Sequence, residues 1–434
     1  MHILFLTQIV PYPPDAGPKV KTWNVIRYLV GLGHQLTLAT FMRPEEQGHL
    51  AALKEVCNQV YTVPIQRSRV RDVGYFLRGL LTGRPFLIER DDLDEMRTVV
   101  ENVLTQQDVD VIHADQLTMT QFALTTHNQL QEIETNQDGQ QKQRKEPYLI
   151  FDAHNAVWTI LERMAENVPW YLKPLASFEA SKVKHYEGKL VAKFDHTFAV
   201  TEIDRMSLLS AAESVINAKP LSEDRISVVP IAVDTNEIRP INLIEKSSSI
   251  LTLGTLHYPP NADGIRWFYE QAFPIIREKF PGAHLTIVGK NPPQDFIQFA
   301  DQNPDCVTVT GYVPDLKPYL KQAAVLVIPV RAGGGMRVRI LEGLAYGQAI
   351  VTTTVGLEGI NAEPGKEVLV ADSPRKFAEA VIGLLESFNL RVEIACNGRS
   401  LVEKHYDWQV VFKNIDAVYQ KVELANLQGS TENE

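Results

Sequence analysis

Apolar residues fall in short unbroken runs separated by longer stretches of helical period, and that alternation repeats along the whole chain. Ile3 to Thr7 reads as a buried strand. The proline-rich turn PYPPDAGPK carries Gly17, and Val20 to Leu32 then spaces its apolar residues three and four apart, as an amphipathic helix does. Gly33 ends that helix before a second strand, Gln35 to Phe41. Strand, glycine loop, helix, strand is the opening of a doubly wound α/β unit, whose ligands sit at the carboxyl ends of the strands. Gly17 is therefore placed at a ligand mouth. No GxGxxG follows the first strand, so the dinucleotide fingerprint is absent.

The pattern continues with a buried strand at VDVIHA, Val109 to Ala114, which brings His113 and Asp115 to a strand end. Gln129 to Glu146 is polar and of low complexity, and reads as an insertion between elements. Tyr148 to Asp152 resumes the sheet, so His154 and Asn155 share the mouth with Gly17. A lysine- and glutamate-rich helix, Tyr171 to Ala192, leads to a strand and a helix capped near Thr201 or Asp204. Ile226 to Pro230 is a further strand, and polar Asn236 to Ser249 reads as a linker. A second α/β series follows: strands at Ile250 to Leu253, His284 to Val288, Val307 to Thr310, Ala324 to Pro329 and Ala349 to Thr353, with helices at Ala262 to Phe280 and Leu316 to Ala323. Asn261 is read as the cap of the first of these helices, and Trp158 and Trp267 as core aromatics. A last helix, Trp408 to Leu424, is expected to pack back on the first domain. The fold class is α/β, two tandem doubly wound Rossmann-like domains with an interdomain cleft, spanning 1–233 and 234–404, with 405–434 as the returning helix and a polar tail.

Candidate chemistry concentrates in Arg331 to Thr354, RAGGGMRVRILEGLAYGQAIVTTT. Consecutive glycines let backbone N–H groups approach an anion, and the helix that follows adds unpaired donors and a positive dipole end. Arg337 and Arg339 supply cations there. Glu342, about 10 Å of helical rise beyond Gly335, is placed to accept from a sugar hydroxyl. Gln66 to Arg90 interleaves arginines with Val, Tyr, Phe and Leu. The favoured reading packs its apolar stripe on the sheet and leaves the arginines in water; the other lays a basic amphipathic helix on anionic lipid.

Composition narrows the classes. The 434 residues are too many for one core. A net charge of -10 argues against non-specific nucleic-acid binding. Cys57, Cys306 and Cys396 have neither metal-ligand nor disulfide spacing, which fits a reducing cytoplasm. The N-terminus lacks a basic n-region and a cleavage site and reads as a strand. With no run of about 18 apolar residues, contact with the inner face of a membrane would be peripheral.

The run GGGMRVRILEGLAYGQAIVTTTVGLEGI resembles the donor-site segment of family 4 glycosyltransferases, retaining enzymes of the two-domain GT-B type. The opening ILFLTQIVPYPPDAGPKVKTWNVIRYLVGLGHQLTLATF, then FDAHN, FDHTFAVTEIDRMSLL, GTLHYPPNADGIRWF, HLTIVGK and VTVTGYVPDL fall in that family's order. The resemblance implies a nucleotide-diphosphate sugar donor and a glycan or lipid-linked acceptor, in cell-surface polysaccharide or glycoconjugate synthesis. It makes Glu342 the ribose ligand, the backbone of Gly335, Met336 and Arg337 the diphosphate cradle with Arg337 and Arg339 neutralising its charge, Gly334 a further donor-binding residue, Tyr312 and Val313 the base contact, and Gly17 the close approach of the first domain. His154, Asp115 and Arg337 are implied as catalytic, and Asn155 and His113 as acceptor-side. Departures accompany it: Gly334 stands where a sugar-contacting glutamate is common, Thr255 and Asp263 replace an Arg and a Lys, and Asp115 replaces a histidine. No Asp-x-Asp ends a strand, so neither metal nor other cofactor is expected. Two alternatives stay open, a nucleotide-sugar epimerase of the same architecture and a non-catalytic partner subunit.

Overall fold

The computed structural model describes residues 1–124, 146–166, 168–215 and 222–431. The polar stretch read as an insertion lies outside the described residues except for Glu146. The chain divides into two compact units, Met1–Pro230 with Val411–Glu434, and Ile231–Val410.

The first unit is built on seven parallel strands: β1 (His2–Thr7), β2 (Gln35–Met42), β3 (Gln59–Pro64), β4 (Val111–Asp115), β5 (Tyr148–Ala153), β6 (His196–Ala199) and β7 (Ile226–Val228). Their order is β3-β2-β1-β4-β5-β6-β7. The order reverses between β1 and β4, the switch point at which such sheets open a crevice. Alternation along the strands sends Leu4, Leu6, Ile112, Ala114, Leu149 and Phe151 into one apolar core. The other face carries Phe5, Thr7, His113, Asp115 and Asp152. Register aligns Thr7 with Asp115 and Asp115 with Asp152, so three polar residues form one row at the carboxyl end. Helix Gly17–Gly31 brings Lys21 and Thr22 onto that row, and helix Lys413–Thr431 brings Tyr419 onto the row of His113.

The first helix starts at Gly17 rather than Val20, because Pro18 is favoured in a first turn, where its missing N–H is not needed. Helix Arg69–Thr82 overturns the favoured reading of its stretch. Val70, Val73, Leu77 and Leu81 are exposed, with Val70 at 84% and Leu81 at 90%, so the apolar stripe points away from the sheet.

The second unit has six parallel strands, β8 (Ser249–Leu253), β9 (His284–Val288), β10 (Val307–Gly311), β11 (Ala323–Ile328), β12 (Ile350–Thr352) and β13 (Leu369–Val370), ordered β10-β9-β8-β11-β12-β13. Its switch point lies between β8 and β11. The helix expected over Ala262 to Phe280 is instead Pro259–Trp267, a π-helical turn Phe268–Ala272, and Phe273–Lys279. Pro274 explains the break, since it removes an i→i−4 donor and crowds the preceding turn. This helix begins at Pro259, so Asn261 is not its cap; its Nδ2 donates to the Thr255 carbonyl at 3.2 Å. Trp267 is buried in the core, while Trp158 is partly buried under the Lys184 ammonium at 4.2 Å. Helices Pro374–Glu386 and Phe388–His405, each capped by a serine, complete the unit.

Candidate functional site

In the first unit, the strand-end row becomes a closed polar cluster. Asp115 is fully buried. It accepts from Thr7 Oγ1 at 2.7 Å and from His154 Nε2 at 2.7 Å, with Thr22 Oγ1 at 3.0 Å. Its oxygens are thus occupied, and Asp115 orients His154 rather than facing a substrate. With Nε2 donating to Asp115, His154 presents Nδ1, which has no partner among the described residues, on a partly exposed ring. That is the arrangement of an imidazole held ready to accept a proton.

Behind this pair lies a second chain. The Tyr419 hydroxyl donates to His113 Nδ1 at 2.8 Å, and His113 Nε2 donates to Asp152 Oδ2 at 3.4 Å. Asp152 is also ion-paired with Lys21, both fully buried. Burial alone would raise the Asp152 carboxyl, but Lys21, His113 and His154 outweigh it and hold the group below the ordinary carboxylate range. Burial and the Asp152 charge push the Tyr419 hydroxyl well up, which keeps it a donor. His113, expected beside the acceptor, is wholly buried against the Phe5 ring, 4.4 Å between centroids, because its strand position points into the sheet face that the helices cover. Asp115, Asp152 and His154 bring three ligand-type atoms within 4.8 Å of one another, a spacing a metal ion could use, but the Lys21 ammonium already serves Asp152.

The turn that carries His154 and Asn155 is fixed from behind. Asp204 accepts from the Ala156 N–H at 2.9 Å, and Glu187 accepts from the Val157 and Trp158 N–H groups at 2.9 and 3.0 Å. Burial pushes the Glu187 carboxyl up to about 8, against the pull of those two N–H groups. Asn155 itself is partly exposed at the turn, and Gly17 opens its helix partly exposed with no side-chain cap.

In the second unit the strand ends close around small residues. A Cβ at Gly289 would stand 1.7 Å from the Gly254 carbonyl oxygen, and one at Gly264 1.8 Å from that of Pro329, so only glycine permits these approaches. After β11 the chain passes through Gly333 and Gly335 at φ 107 and 81, a conformation other residues adopt at a cost. Arg337 Nη1 donates to the Gly334 and Gly335 carbonyls at 2.6 and 3.0 Å, so this guanidinium braces the loop. Met336 is buried.

Helix Val338–Ala345 then starts, with Arg339 and Glu342 one turn apart and both half-buried. Arg339 Nη2 donates to Thr255 Oγ1 at 3.2 Å, which ties the helix to the turn after β8. Arg339 thus brings a cation from the helix to Thr255. Asp263, the other departure, lies 3.6 Å from Arg331. Burial raises the Glu342 carboxyl, with Arg339 opposing, and burial lowers Arg339, with Glu342 opposing. The Glu342 carboxylate has no hydrogen-bond partner among the described residues, while its carbonyl accepts from the Tyr346 N–H at 2.9 Å. Tyr312 and Val313 follow β10; Tyr312 is exposed, with the Lys290 ammonium 4.7 Å from its ring centre.

The structure therefore groups His154 with Asp115, and Gly334 and Gly335 with Arg337. Sequence reasoning missed Lys21, Asp152, Thr7 and Tyr419. The first three were open to discovery, since Thr7, Asp115 and Asp152 each close a legible strand and Lys21 lies one turn into the helix after Gly17. Tyr419 carries no such signal.

Each of the two Rossmann-like units thus gathers polar groups at its own switch point, and the second adds a glycine loop, two arginines and a free carboxylate there. Residues 247–387, within the second unit, match the family described as glycosyl transferases group 1. The chain is 22% identical over 356 residues, 75% of its length and 88% of the relative's, to an uncharacterized 44.6 kDa protein in the cps region of Klebsiella pneumoniae. It is 28% identical over 157 residues, 34% of the chain and 40% of the relative, to the capsular polysaccharide biosynthesis glycosyltransferase CapM of Staphylococcus aureus. Among solved structures, Anabaena Alr3699/HepE in complex with UDP aligns with TM-score 0.66 at 12% identity over 97% of this chain and 100% of that one. Sucrose-phosphate synthase from Thermosynechococcus elongatus aligns with TM-score 0.66 at 14% identity over 98% and 99%. At such identities the likeness is one of fold, and the fold is GT-B type. Among the described residues, no helix is long and apolar enough to cross a membrane.

Proposed function

We propose that this protein is a retaining glycosyltransferase that moves a hexose from a nucleotide-diphosphate sugar to a glycan or lipid-linked acceptor in cell-surface polysaccharide synthesis. The observation that carries the reading is Glu342, a half-buried carboxylate without a hydrogen-bond partner among the described residues, one turn from Arg339 and beyond a glycine loop. A carboxylate partly withdrawn from water and left unpaired is well placed for a ligand that supplies donors. Ribose hydroxyls are suitable donors. HepE, which shares the fold, has been crystallised with UDP and with UDP-glucose.

In this reading the N–H groups of the glycine loop and of the first turn of helix Val338–Ala345 face the leaving diphosphate, and Arg339 adds charge. Donors aimed at charge that grows in the transition state contribute a few kcal/mol each. Arg337 holds the loop in that shape. The lone pair on His154 Nδ1 faces the acceptor, with Asn155 beside it. Among the described residues, the glycine loop and helix Val338–Ala345 carry one acid, Glu342, where a glycosidase uses a carboxylate pair, and the reading is of same-face attack with the leaving phosphate helping to take the acceptor proton. The reading is of a metal-independent transfer, with Lys21 as the cation beside Asp152. Three results test the reading: thermal stabilisation across a panel of nucleotide-diphosphate sugars, the anomeric configuration of the transferred sugar by NMR, and activity in the presence of chelator. Free epimer formed without acceptor, an inverted product, or activity abolished by chelator would each defeat part of it.

A further inference from the structure

Helix Arg69–Thr82 carries an apolar stripe that its own unit leaves in water. Val70, Val73, Leu77 and Leu81 recur at helical spacing and are all exposed. A neighbouring stretch does the same: Trp170, Tyr171 and Phe178 are exposed, Trp170 at 81%. The two lie side by side, because Lys182 Nζ donates to the Gly79 and Arg84 carbonyls at 3.2 and 3.0 Å and sits 5.5 Å from the Phe178 ring centre. Contiguous apolar surface of this kind marks an interface.

Charge says which interface. Residues 66–90 hold six arginines against two acids in a chain of net charge -10. Arg69 and Arg71 have no ion pair among the described residues, whereas Arg67 and Arg90 are held by the buried Asp91 at 2.5 and 3.0 Å. Arg67, Arg71 and Arg90 line a cavity of about 220 Å³ at the start of the helix together with Asp72 and Glu95, so the cavity is of mixed charge and Arg69 and Arg71 carry the unpaired positive charge of this face. A second copy of the chain meeting this face about a two-fold axis would set these cations against themselves. An anionic surface with an apolar interior meets both demands, since arginines take headgroup phosphates, leucines enter the acyl boundary, and Trp and Tyr occupy the interface between.

We infer that the face formed by helix Arg69–Thr82 and the Trp170 to Phe178 stretch docks the protein on an anionic bilayer, with Arg69 and Arg71 meeting headgroup phosphates. The inference stands on exposure and charge and is independent of the reaction catalysed.

Sedimentation of the full chain with vesicles tests it, comparing pure phosphatidylcholine with phosphatidylcholine mixed with phosphatidylglycerol. Binding to the mixed vesicles alone is expected, weakening as salt rises. Arg69→Gln and Arg71→Gln should each lower partitioning about fivefold. The double variant Leu77→Glu, Leu81→Glu should lower it more than about tenfold, with an unchanged melting temperature because both side chains are already in water. No binding by the parent chain, equal binding to both vesicle types, or undiminished binding by either set of variants would overturn the inference. So would light scattering that shows a dimer which the leucine variants dissociate, since the face would then belong to a second copy.

Discussion

Lys21 is a charge taken out of water and Glu342 one half withdrawn from it, and they differ in what answers them. Lys21 is met inside the fold by Asp152, with His113 and Tyr419 behind it. Removing one partner of such a pair leaves an uncompensated buried charge, so Lys21→Met should destabilise the protein by about 3–5 kcal/mol, measured by urea denaturation. The Glu342 carboxylate has no hydrogen bond to lose. Glu342→Ala should therefore leave the melting temperature of the free protein unchanged or slightly raised, while weakening nucleotide-diphosphate binding about tenfold or more, the worth of a charge-assisted hydrogen-bond pair. Calorimetric titration with a panel of nucleoside diphosphates reads the second effect. Binding as tight as in the parent chain would remove the ribose role from Glu342.

Elements in this fold hold one another through a few backbone contacts, and two of these are open to test. Helix Val157–Glu166 begins on the Glu187 carboxyl, which burial holds near pKa 8. The folded value lies above the unfolded one of 4.5. This group's contribution to stability is thus complete below about pH 4.5 and is lost as pH rises through about 8. Glu187→Gln should flatten that part of the stability profile, seen as a smaller fall in melting temperature between those limits. Asp152 works in the opposite sense: its depressed carboxyl contributes stability above the unfolded value of 3.8 and loses it as pH falls through the folded value. Gly264 marks the contact of the helix beginning at Pro259 with the end of β11, where a methyl group would meet the Pro329 carbonyl at 1.8 Å. Gly264→Ala should cost about 3 kcal/mol, the upper end for overpacking because the obstacle is backbone. Both contacts were unreadable in advance, since a glycine or glutamate in a helix says nothing about what packs on it. The serine caps at Ser373 and Ser387 were readable and went unread, as did β3.

At the scale of the molecule, each unit has its own core, and the chain leaves and re-enters the first, whose last element is helix Lys413–Thr431. That return places Tyr419 on His113 and Tyr28 on Asp416, at 2.8 Å in each case. Truncation before Lys413 should therefore expose the buried His113 and Asp152 cluster and destabilise the first unit, an outcome that hydrogen exchange of β1 and β4 amides would register as lost protection. Unchanged protection would reduce the helix to an accessory.

The sequence by itself determined the alternation of strand and helix, the two α/β series and the glycine-arginine segment, because each depends on spacing within some twenty residues and on the backbone freedom of glycine. It also placed His154 and Asp115 at strand ends, since a run of apolar residues stops where the sheet does. Tertiary structure decided the rest. It put Thr7, Asp115 and Asp152 in one row, closed Lys21 onto them and buried His113, all through pairings of residues distant along the chain. It turned Arg337 onto its own loop and Arg339 onto Thr255. It also left the stripe of helix Arg69–Thr82 facing water: period reveals that a helix is two-sided, and only the packing of its neighbours determines which side remains uncovered.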